Sequence, residues 1–372
     1  MKYGISVYDA LLESPKAMQL YLDNTFNERF KAELWKQFFT WDLSPSLDDG
    51  FKAVEVVKAA NVMADIRARF SPVAQRDTNG LEYYLGTVPD LSHGFKEGVE
   101  DRVRLKRIAE MAMGNEQIIA QFTHKLEPFI QGIHSRITNM GMQLISKGEI
   151  YDANTQGTGI PYKSKAPIPT ANFKTAGAAV WSDNTNAKIF TDMINTEKYV
   201  RDTLGYQGLL EWNVDKTTMT NILNNKEVKD LVGAILTATG VLFNPNTPIT
   251  MTQLDTFIGE WRQIAPIKLV EESQTVYNPD GNVVVNGWKA GSAVLRPAGR
   301  AGVVKYSLLE ELMAVQGEAG INITYLEGGR IGIKRKFNAA TEQWSTDVLA
   351  AAVPTLSSWR YHVIVDSTTA ED

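Results

Sequence analysis

The chain has 372 residues, a globular composition with 44% apolar and 22% charged residues, and a formal net charge of −5. That length predicts about two or three domains with an ample core, and the acidic balance argues against a dedicated nucleic-acid binder, which would normally be basic. Cysteine is absent, which excludes disulfide frameworks, thiol catalysis and cysteine-ligated zinc or iron–sulfur sites.

The N-terminus and the longest apolar run do not resemble export or membrane segments. The opening MKYGISVYDALLESP has no long apolar core and carries acidic residues early, so we expect no secretory signal. The longest apolar run, residues 231–243, is interrupted by two threonines and is too short to span a bilayer. We therefore expect the protein to fold in a cytoplasm and to have no membrane partner.

Residues 1–70 are predicted to form an N-terminal arm with two helical pieces. The first piece has a four-residue apolar repeat that ends at Ser44-Pro45, and the second covers 51–70. The apolar and aromatic residues of the first piece are Phe26, Phe30, Leu34, Trp35, Phe38, Phe39 and Trp41. So many aromatic side chains must be buried from solvent, either against the chain's own domain or against a neighbouring copy.

Residues 71–107 are predicted to form a long hairpin, either a functional arm or a disordered flap. Its strands are 80–86 and 97–105, far apart for an ordinary hairpin connection. The turn residues expected between them are Pro89, Asp90, His93 and Gly94. Its base carries mixed charges, namely Glu97, Glu100, Asp101, Arg102, Arg104, Lys106 and Arg107. These charges form either a solvated strand or an ion-pair surface between subunits.

Residues 126–148 are predicted to form the helix around which the chain is organised. Its apolar residues recur at helical spacing, at Leu126, Ile130, Ile133, Ile137, Met140 and Leu144. Pro128 suits the first turn, Lys147-Gly148 suits the end, and Gly114 indicates a break before the helix. His124 and His134 point in different directions and cannot share a metal, so we interpret them as core residues.

A proline-rich edge and then a second α/β part follow. Residues 151–175 are expected to form extended edges and loops. Asn184 or Thr185 is predicted to cap a helix that ends at Leu204-Gly205, and residues 208–214 to form a strand. Further helices are expected after caps at Asp215 and at Thr250 or Thr252, with an interruption at Asn224-Asn225; their ranges are 226–239 and 252–264.

The last third of the chain is predicted to be mainly strands. Residues 267–276 and 282–285 flank the sequence Asn-Pro-Asp-Gly, whose residues suit a type I turn, so we predict a hairpin there. The other predicted strands are 293–295, 323–326, 331–337 and 361–365.

No catalytic, cofactor-binding or metal-binding residues can be assigned. The phosphate loop, zinc-protease and nucleophile-elbow motifs are absent, and the four histidines are scattered. The acidic pairs 48–49, 271–272 and 310–311 consist of neighbours that face different ways. The glycines around Arg330 indicate a turn. The densest basic cluster, Arg330, Lys334, Arg335 and Lys336, is either a solvated strand end or a phosphate contact.

The order of these features resembles the major capsid proteins of tailed bacteriophages, specifically the lambda-type family called major capsid protein E. Three passages carry the resemblance. The helix exit 143–150 is similar to the exit of the family's spine helix, with Lys and Gly in reverse order. Trp181-Ser182-Asp183 and the helix that follows are similar to the entry into the axial domain. Residues 267–302 resemble the family's hairpin, apolar strand and Pro/Gly turn.

The resemblance implies an α+β fold, the phage major capsid fold shared by tailed phages and herpesviruses. The implied parts are an N-terminal arm (1–70), an extended hairpin loop (71–107), a peripheral domain with the spine helix (108–180), an axial domain (181–340) and a C-terminal return to the peripheral domain (341–372).

The resemblance also implies a function and partners. Hexamers and pentamers of one chain would tile an icosahedral shell in the virion, assembled in a bacterial host cytoplasm around non-specifically contacted double-stranded DNA. A separate scaffolding protein and a portal are the implied partners, with a decoration protein as an optional one, and no enzyme activity is expected. Our candidate assembly-interface residues are Phe26, Phe30, Trp35, Trp41, Tyr83, Tyr84, Phe95, Arg102 and Arg104.

Three other functions stay open at this point. The chain could form the shell of a nanocompartment of the same fold, which would enclose a protein cargo. It could be another structural part of a virion, such as a tail or baseplate protein. A metal-independent hydrolase of α+β type would need a converging Ser, His and acid set, which the sequence does not reveal.

Overall fold

The computed structural model describes most of the chain and confirms the predicted α+β class. The described residues are 29–46, 50–57, 80–97, 115–152, 161–238, 248–261, 263–272, 274–278, 281–318, 321–338, 340 and 343–370. The chain divides into two compact units: a first unit of Met1–Phe51, Thr87–Gly141 and Val303–Pro354, and a second unit of Lys52–Gly86, Met142–Gly302 and Thr355–Asp372. None of the helices in the described ranges is long and apolar enough to cross a membrane.

Runs of strands and runs of helices follow one another along the chain. The strands are β1 (Phe39–Trp41), β2 (Gly50–Val57), β3 (Gly80–Thr87), β4 (Asp90–Glu97), β5 (Glu149–Asp152), β6 (Tyr162–Lys165), β7 (Phe173–Ala176), β8 (Leu210–Val214), β9 (Ile267–Leu269), β10 (Gln274–Asn278), β11 (Gly281–Val285), β12 (Ser292–Pro297), β13 (Gly302–Tyr306), β14 (Ile321–Leu326), β15 (Ile331–Asn338), β16 (Gln343–Leu356) and β17 (Val363–Ala370). The α-helices are α1 (Trp35–Phe38), α2 (Asn115–Lys147), α3 (Ile189–Lys198), α4 (Lys216–Asn224), α5 (Lys226–Ala238), α6 (Met251–Trp261) and α7 (Glu310–Ala314).

The first unit is built on a six-stranded sheet. Its order is β1-β13-β16-β15-β14, and β4 also pairs with the long strand β16. β16 is antiparallel to both β15 and β4, so that Thr346 lies opposite Arg335 on one side and Phe95 on the other. β13 and β16 were not predicted from the sequence.

The predicted central helix is confirmed as α2, and it is longer than expected. All six residues of the apolar stripe are buried, and Gly148 follows the helix with φ +74°, the left-handed conformation of a C′ glycine. The helix begins at Asn115, directly after the expected break. Pro128 therefore lies inside the helix and not in its first turn, where it leaves the carbonyl four residues earlier without its usual donor.

The second unit contains a five-stranded sheet of order β7-β17-β12-β8-β9. β12 is antiparallel to β8 and β17, whereas the outer strands β7 and β9 run parallel to their neighbours. One apolar cluster joins alternate residues of these strands, such as Trp212 and Leu295, to the buried faces of α3 to α6, such as Phe190 and Phe257. The second unit thus has its own core.

Local sequence signals place the helices of the second unit correctly in most cases. Asp215 accepts hydrogen bonds from the backbone N–H groups of Thr217 and Thr218, and Thr250 forms a reciprocal cap with Gln253. The prediction for α3 was wrong at its start, since neither Asn184 nor Thr185 caps it. The carboxylate of Glu227, on α5, accepts from the N–H of Phe190 instead.

The second helical piece predicted for the arm is wrong. Residues 50–57 form strand β2, in which Phe51 and Ala53 are buried while Lys52 and Val54 are exposed. This alternation has the two-residue period of a strand, and the valines of this segment favour an extended chain. Residues 58–70 lie outside the described residues.

The first arm helix is also shorter than predicted. A 3₁₀ turn at Phe30–Ala32 and α1 are separated by Glu33, whose extended ψ of 137° interrupts the helix, and strand β1 follows at once. Phe30, Trp35, Phe38 and Phe39 are buried. The arm aromatics that the structure describes therefore turn toward their own unit.

Two further expectations about strands need correction. His93 and Gly94, expected in a turn, lie within β4. The strand predicted at 80–86 is confirmed as β3, and it pairs with β2, whereas the return strand at 97–105 lies outside the described residues apart from Glu97. The hairpin predicted near residue 280 is confirmed as β10-β11, although its first strand is split and β9 joins the five-stranded sheet.

Candidate assembly surfaces

The nine candidate interface residues differ widely in exposure. Phe26, Arg102 and Arg104 lie outside the described residues. Phe30 and Trp35 are buried in their own unit, and Trp41, Tyr84 and Phe95 are half-buried. Tyr83 is the most open of those described, with 58% exposure. Of the two covers considered for the arm aromatics, the chain's own unit is therefore the one found for Phe30 and Trp35.

Trp35 and His134 join the arm to helix α2. Trp35 Nε1 donates to His134 Nδ1 at 3.2 Å, and the His134 ring lies close to parallel with the rings of Trp35 and Phe30, at centroid distances of 6.0 and 4.8 Å. His134 is completely buried, as expected for a core histidine. Burial lowers the pKa of His134 to about 4, although the nearby Glu327 carboxylate acts in the opposite direction.

Glu327 holds the same segment from the turn between β14 and β15. Its carboxylate binds Lys36 Nζ through Oε1 and Trp41 Nε1 through Oε2, both at 2.5 Å. His134 Nε2 lies 3.7 Å from Glu327 Oε1. We call Trp35, Lys36, Trp41, His134 and Glu327 the arm clasp. It connects residues that are up to 291 positions apart in the sequence.

The backbone at Glu327 is strained. Its φ of +49° is the only positive value at a non-glycine position in the described part of the chain. Arg330 stabilises this turn, because its guanidinium donates to the Glu327 carbonyl at 2.8 Å and to the Asp42 carbonyl at 3.2 Å. A strained residue that persists in this way indicates that its surroundings require the conformation.

The arm beyond the clasp is held through its backbone. Asp42 N donates to the carbonyl of Val304, and Ser46 N donates to the carbonyl of Tyr306, so residues 39–46 follow strand β13. The Asp42 carboxylate also binds Lys305 Nζ at 2.5 Å. The arm is thus fixed by side chains in its first part and by strand pairing in its second.

Strands β2 and β3 form a separate two-stranded ribbon with an open apolar face. Val54, Tyr83 and Leu85 are 47, 58 and 69% exposed, and Lys52 Nζ lies 4.2 Å from the centre of the Tyr83 ring. Apolar side chains that cluster on an exposed ribbon are typical of surfaces that a partner covers.

Tyr84 anchors this ribbon within the second unit. Its ring meets the edge of buried Trp359 at a centroid distance of 5.2 Å. Burial raises the pKa of Tyr84, against the lowering effect of a hydrogen bond with the backbone of Leu356. Tyr84 therefore serves to fix the ribbon, while its neighbour Tyr83 stays on the open face.

The second unit buries an ion pair inside its sheet. Arg296 on β12 lies opposite Glu211 on β8, and the two side chains, each 3% exposed, form a hydrogen-bonded pair. Arg296 also donates to Asn213 at 2.6 Å and to the Gly299 carbonyl at 2.8 Å, and Lys268 binds Glu211 at 2.6 Å. Burial lowers the pKa of Arg296, and Glu211 counteracts this.

The described residues of the acidic pairs and of the basic cluster make contacts within the fold. Glu311 pairs with Lys334, and Glu272 accepts from the N–H of Trp288, while Asp48 and Asp49 lie outside the described residues. In the basic cluster, Arg330 stabilises the Glu327 turn, and Arg335 stacks on Trp344 at 4.7 Å. Within the described ranges, no group of three or more metal-binding side chains converges.

Sequence reasoning missed the arm clasp. His134 was identified as a core residue and Glu327 preceded a predicted glycine turn, but no pattern in the sequence relates either one to Lys36. The pairing depends on which sheet edge the arm follows.

Comparison with known proteins places the fold. No protein-family model and no curated protein sequence matches the chain. Among solved structures, a candidate capsid protein of a prophage from Escherichia coli CFT073 is similar over 95% of this chain and 98% of its own, with a TM-score of 0.54 and 13% identity. A phage-related protein from Bordetella bronchiseptica RB50 is similar over 91% and 93%, with a TM-score of 0.48 and 14% identity. The similarity to the prophage protein shows that the chain has the phage capsid fold.

Proposed function

We propose that this protein is the major capsid protein of a tailed phage, which assembles as hexamers and pentamers into the icosahedral shell around packaged double-stranded DNA. The observation that carries the proposal is the shared fold with the prophage protein over nearly the full length of both chains. The two-unit architecture with one long helix, and a described region without a metal-binding cluster, support a structural role.

The units correspond to the implied domains as follows in this proposal. The first unit, with most of α2 and the six-stranded sheet, serves as the peripheral domain, and the second unit serves as the axial domain. The extended hairpin loop is built on β2 and β3, so it begins near residue 50 and not at residue 71. The C-terminal stretch contributes β16 to the first unit and β17 to the second.

The open face of the ribbon is the contact surface that we propose between neighbouring subunits. Its exposed residues Val54, Tyr83 and Leu85 would be covered in the shell, as apolar and aromatic residues at subunit interfaces usually are. Phe95, Arg102 and Arg104 stay candidates for further contacts. Phe30 and Trp35 act in this proposal by positioning the arm.

Several finer assignments belong to the same proposal. Membership of the lambda-type family, a separate scaffolding protein, a portal, a decoration protein and assembly in a bacterial cytoplasm follow from the sequence resemblance alone. The protein would be found in the virion, and it would have no enzymatic activity.

Electron microscopy of the purified full-length protein at micromolar concentration, with mass photometry, tests the proposal. Closed shells or rings with five-fold and six-fold symmetry are the expected result, alone or with a co-expressed scaffolding protein. Shells from infected or induced cells should contain DNA, whereas a protein cargo would indicate a nanocompartment. A monodisperse small particle under all these conditions would refute the capsid assignment.

The ribbon surface has its own test in two matched variants. Leu85→Lys should abolish shells while circular dichroism and the melting temperature stay close to the wild type, because the exposed side chain contributes little to the fold. Leu85→Met keeps the apolar area and should assemble normally. Normal shells from Leu85→Lys would exclude this face as an essential contact.

A further inference from the structure

The protonation state of His134 is fixed by its surroundings. Nδ1 accepts the hydrogen bond of Trp35 Nε1, so the single proton of the neutral ring lies on Nε2. Nε2 points toward Glu327 Oε1 at 3.7 Å and has no hydrogen-bond partner in the described part of the chain. A second proton can therefore bind only at Nδ1, the nitrogen that accepts the hydrogen bond of Trp35.

We propose that His134 makes the arm clasp a proton-sensitive latch, so that residues 30–38 leave the first unit when this histidine takes up a second proton. Protonated Nδ1 would place an N–H group against the N–H of Trp35, and two donors at 3.2 Å repel each other. The new charge would also lie in a completely buried site beside the rings of Phe30 and Trp35. Both effects favour release.

The charged groups around His134 define the direction of the pH effect. Glu327 faces it from the β14–β15 turn and favours the protonated ring, and Lys36 faces it from the arm and opposes it. Burial outweighs both groups, so the docked ring binds a proton more weakly than a released ring does. Docking is therefore strongest above pH 6.5 and is lost as the pH falls toward 4.

Glu33 acts in the opposite direction. This residue lies in the arm, and burial raises the pKa of its carboxyl, so the docked arm holds that proton more firmly than the released arm. Its effect extends upward from the ordinary range of carboxylates into the range in which His134 titrates, where it partly offsets the loss of docking. From His134 alone we expect the docking equilibrium to weaken by about twentyfold between pH 7 and pH 5.

Release should be local. Residues 39–46 keep their backbone hydrogen bonds to β13, which do not involve His134. The segment that leaves is therefore the one on which Trp35 and Lys36 lie, and strand β1 stays paired. This inference rests on the contacts within the first unit and holds whether or not the chain forms shells.

Hydrogen–deuterium exchange of the full-length protein, followed by mass spectrometry, tests the latch. Labelling times are scaled for the intrinsic exchange rate at pH 7, 6 and 5. Peptides within residues 30–38 should lose protection as the pH falls, whereas peptides of β13 should not. Constant protection of residues 30–38 down to pH 5 would overturn the proposal.

Three variants separate the latch from general acid destabilisation. His134→Gln keeps an acceptor for Trp35 but does not titrate, so the loss of protection should disappear. Trp35→Phe keeps an aromatic ring without the N–H donor, so it should reduce the pH dependence even if His134→Gln folds poorly. His362→Gln changes the buried histidine of the second unit and should leave the pH dependence unchanged. An unaltered pH dependence in both clasp variants, or its loss in His362→Gln, would refute the latch.

Discussion

Among the described residues, each unit contains a carboxylate network shielded from solvent and a buried histidine, but the two networks join different kinds of structure. In the second unit, Glu211 and Arg296 face each other across adjacent strands of one sheet. In the first unit, Glu327 reaches from a turn to a short segment near the N-terminus. A network inside a sheet stabilises the whole unit, whereas one that holds a peripheral segment mainly controls local opening.

The two histidines differ in the same way. His362 is completely buried, its Nε2 lies 2.7 Å from the Ile145 carbonyl, and burial lowers its pKa to about 4. That hydrogen bond uses the proton that a neutral ring already carries, and it survives a second protonation. The bond from Trp35 to His134 does not, because there the ring is the acceptor. Both histidines are buried, but only His134 would lose a hydrogen bond when it takes up a second proton. His134, and not His362, is therefore the candidate for a pH switch.

The largest effect should come from breaking the buried pair of the second unit. Arg296→Met leaves Glu211 buried with only the outer Lys268 as a charged partner, and we expect the free energy of unfolding to fall by about 3–5 kcal/mol. Chemical denaturation followed by circular dichroism measures this change.

Two companions decide how that result is interpreted. Lys268→Ala removes a side chain that is 59% exposed and should cost less than about 1 kcal/mol. Combining Arg296→Met with Glu211→Leu removes both charges and should restore much of the stability. Equal losses in Arg296→Met and Lys268→Ala would show that the buried position has no special importance.

A smaller and more local effect is expected at Glu327. Glu327→Gln removes the charge that binds Lys36 but keeps an oxygen for Trp41, so the free energy of unfolding should fall by about 1–2 kcal/mol. Trypsin should also cut after Lys36 faster than in the wild type, because the segment opens more often. Glu318→Gln, an exposed position in the same unit, is the control. Unchanged cleavage in Glu327→Gln would mean that this carboxylate does not hold the arm.

The parts of the fold that could be predicted from the sequence depend on local signals. The stripe of α2, its Gly148 end and the caps at Asp215 and Thr250 involve residues close together in the chain. Strand β2 was mistaken for a helix because its partner β3 lies more than twenty residues away and its valines also fit a helical spacing. Tertiary pairing determined its structure.

The candidate site was harder to predict than the fold. Aromatic residues in the arm indicated that a cover exists, but only the three-dimensional structure shows that His134 and Glu327 provide it. Tyr83 and Tyr84 are neighbours with the same side chain, and the alternation of a strand gives them opposite roles. Trp359, which lies far along the chain, packs against Tyr84 on one face of the ribbon. The local sequence could therefore not show which face is open.

The smallest effect concerns the backbone strain at Glu327. Glu327→Gly and Glu327→Ala both lose the carboxylate, so the difference between their stabilities reflects the backbone conformation at φ +49° together with the larger entropy of glycine in the unfolded chain. Glycine adopts this conformation without strain while alanine does not, and the alanine variant should be less stable by about 1 kcal/mol. Thermal unfolding of the two purified variants gives the difference directly. Equal stabilities would mean that the turn relaxes once Lys36 and Trp41 are released. In that case the clasp itself imposes the strained backbone, and the arm and the turn form one cooperative element.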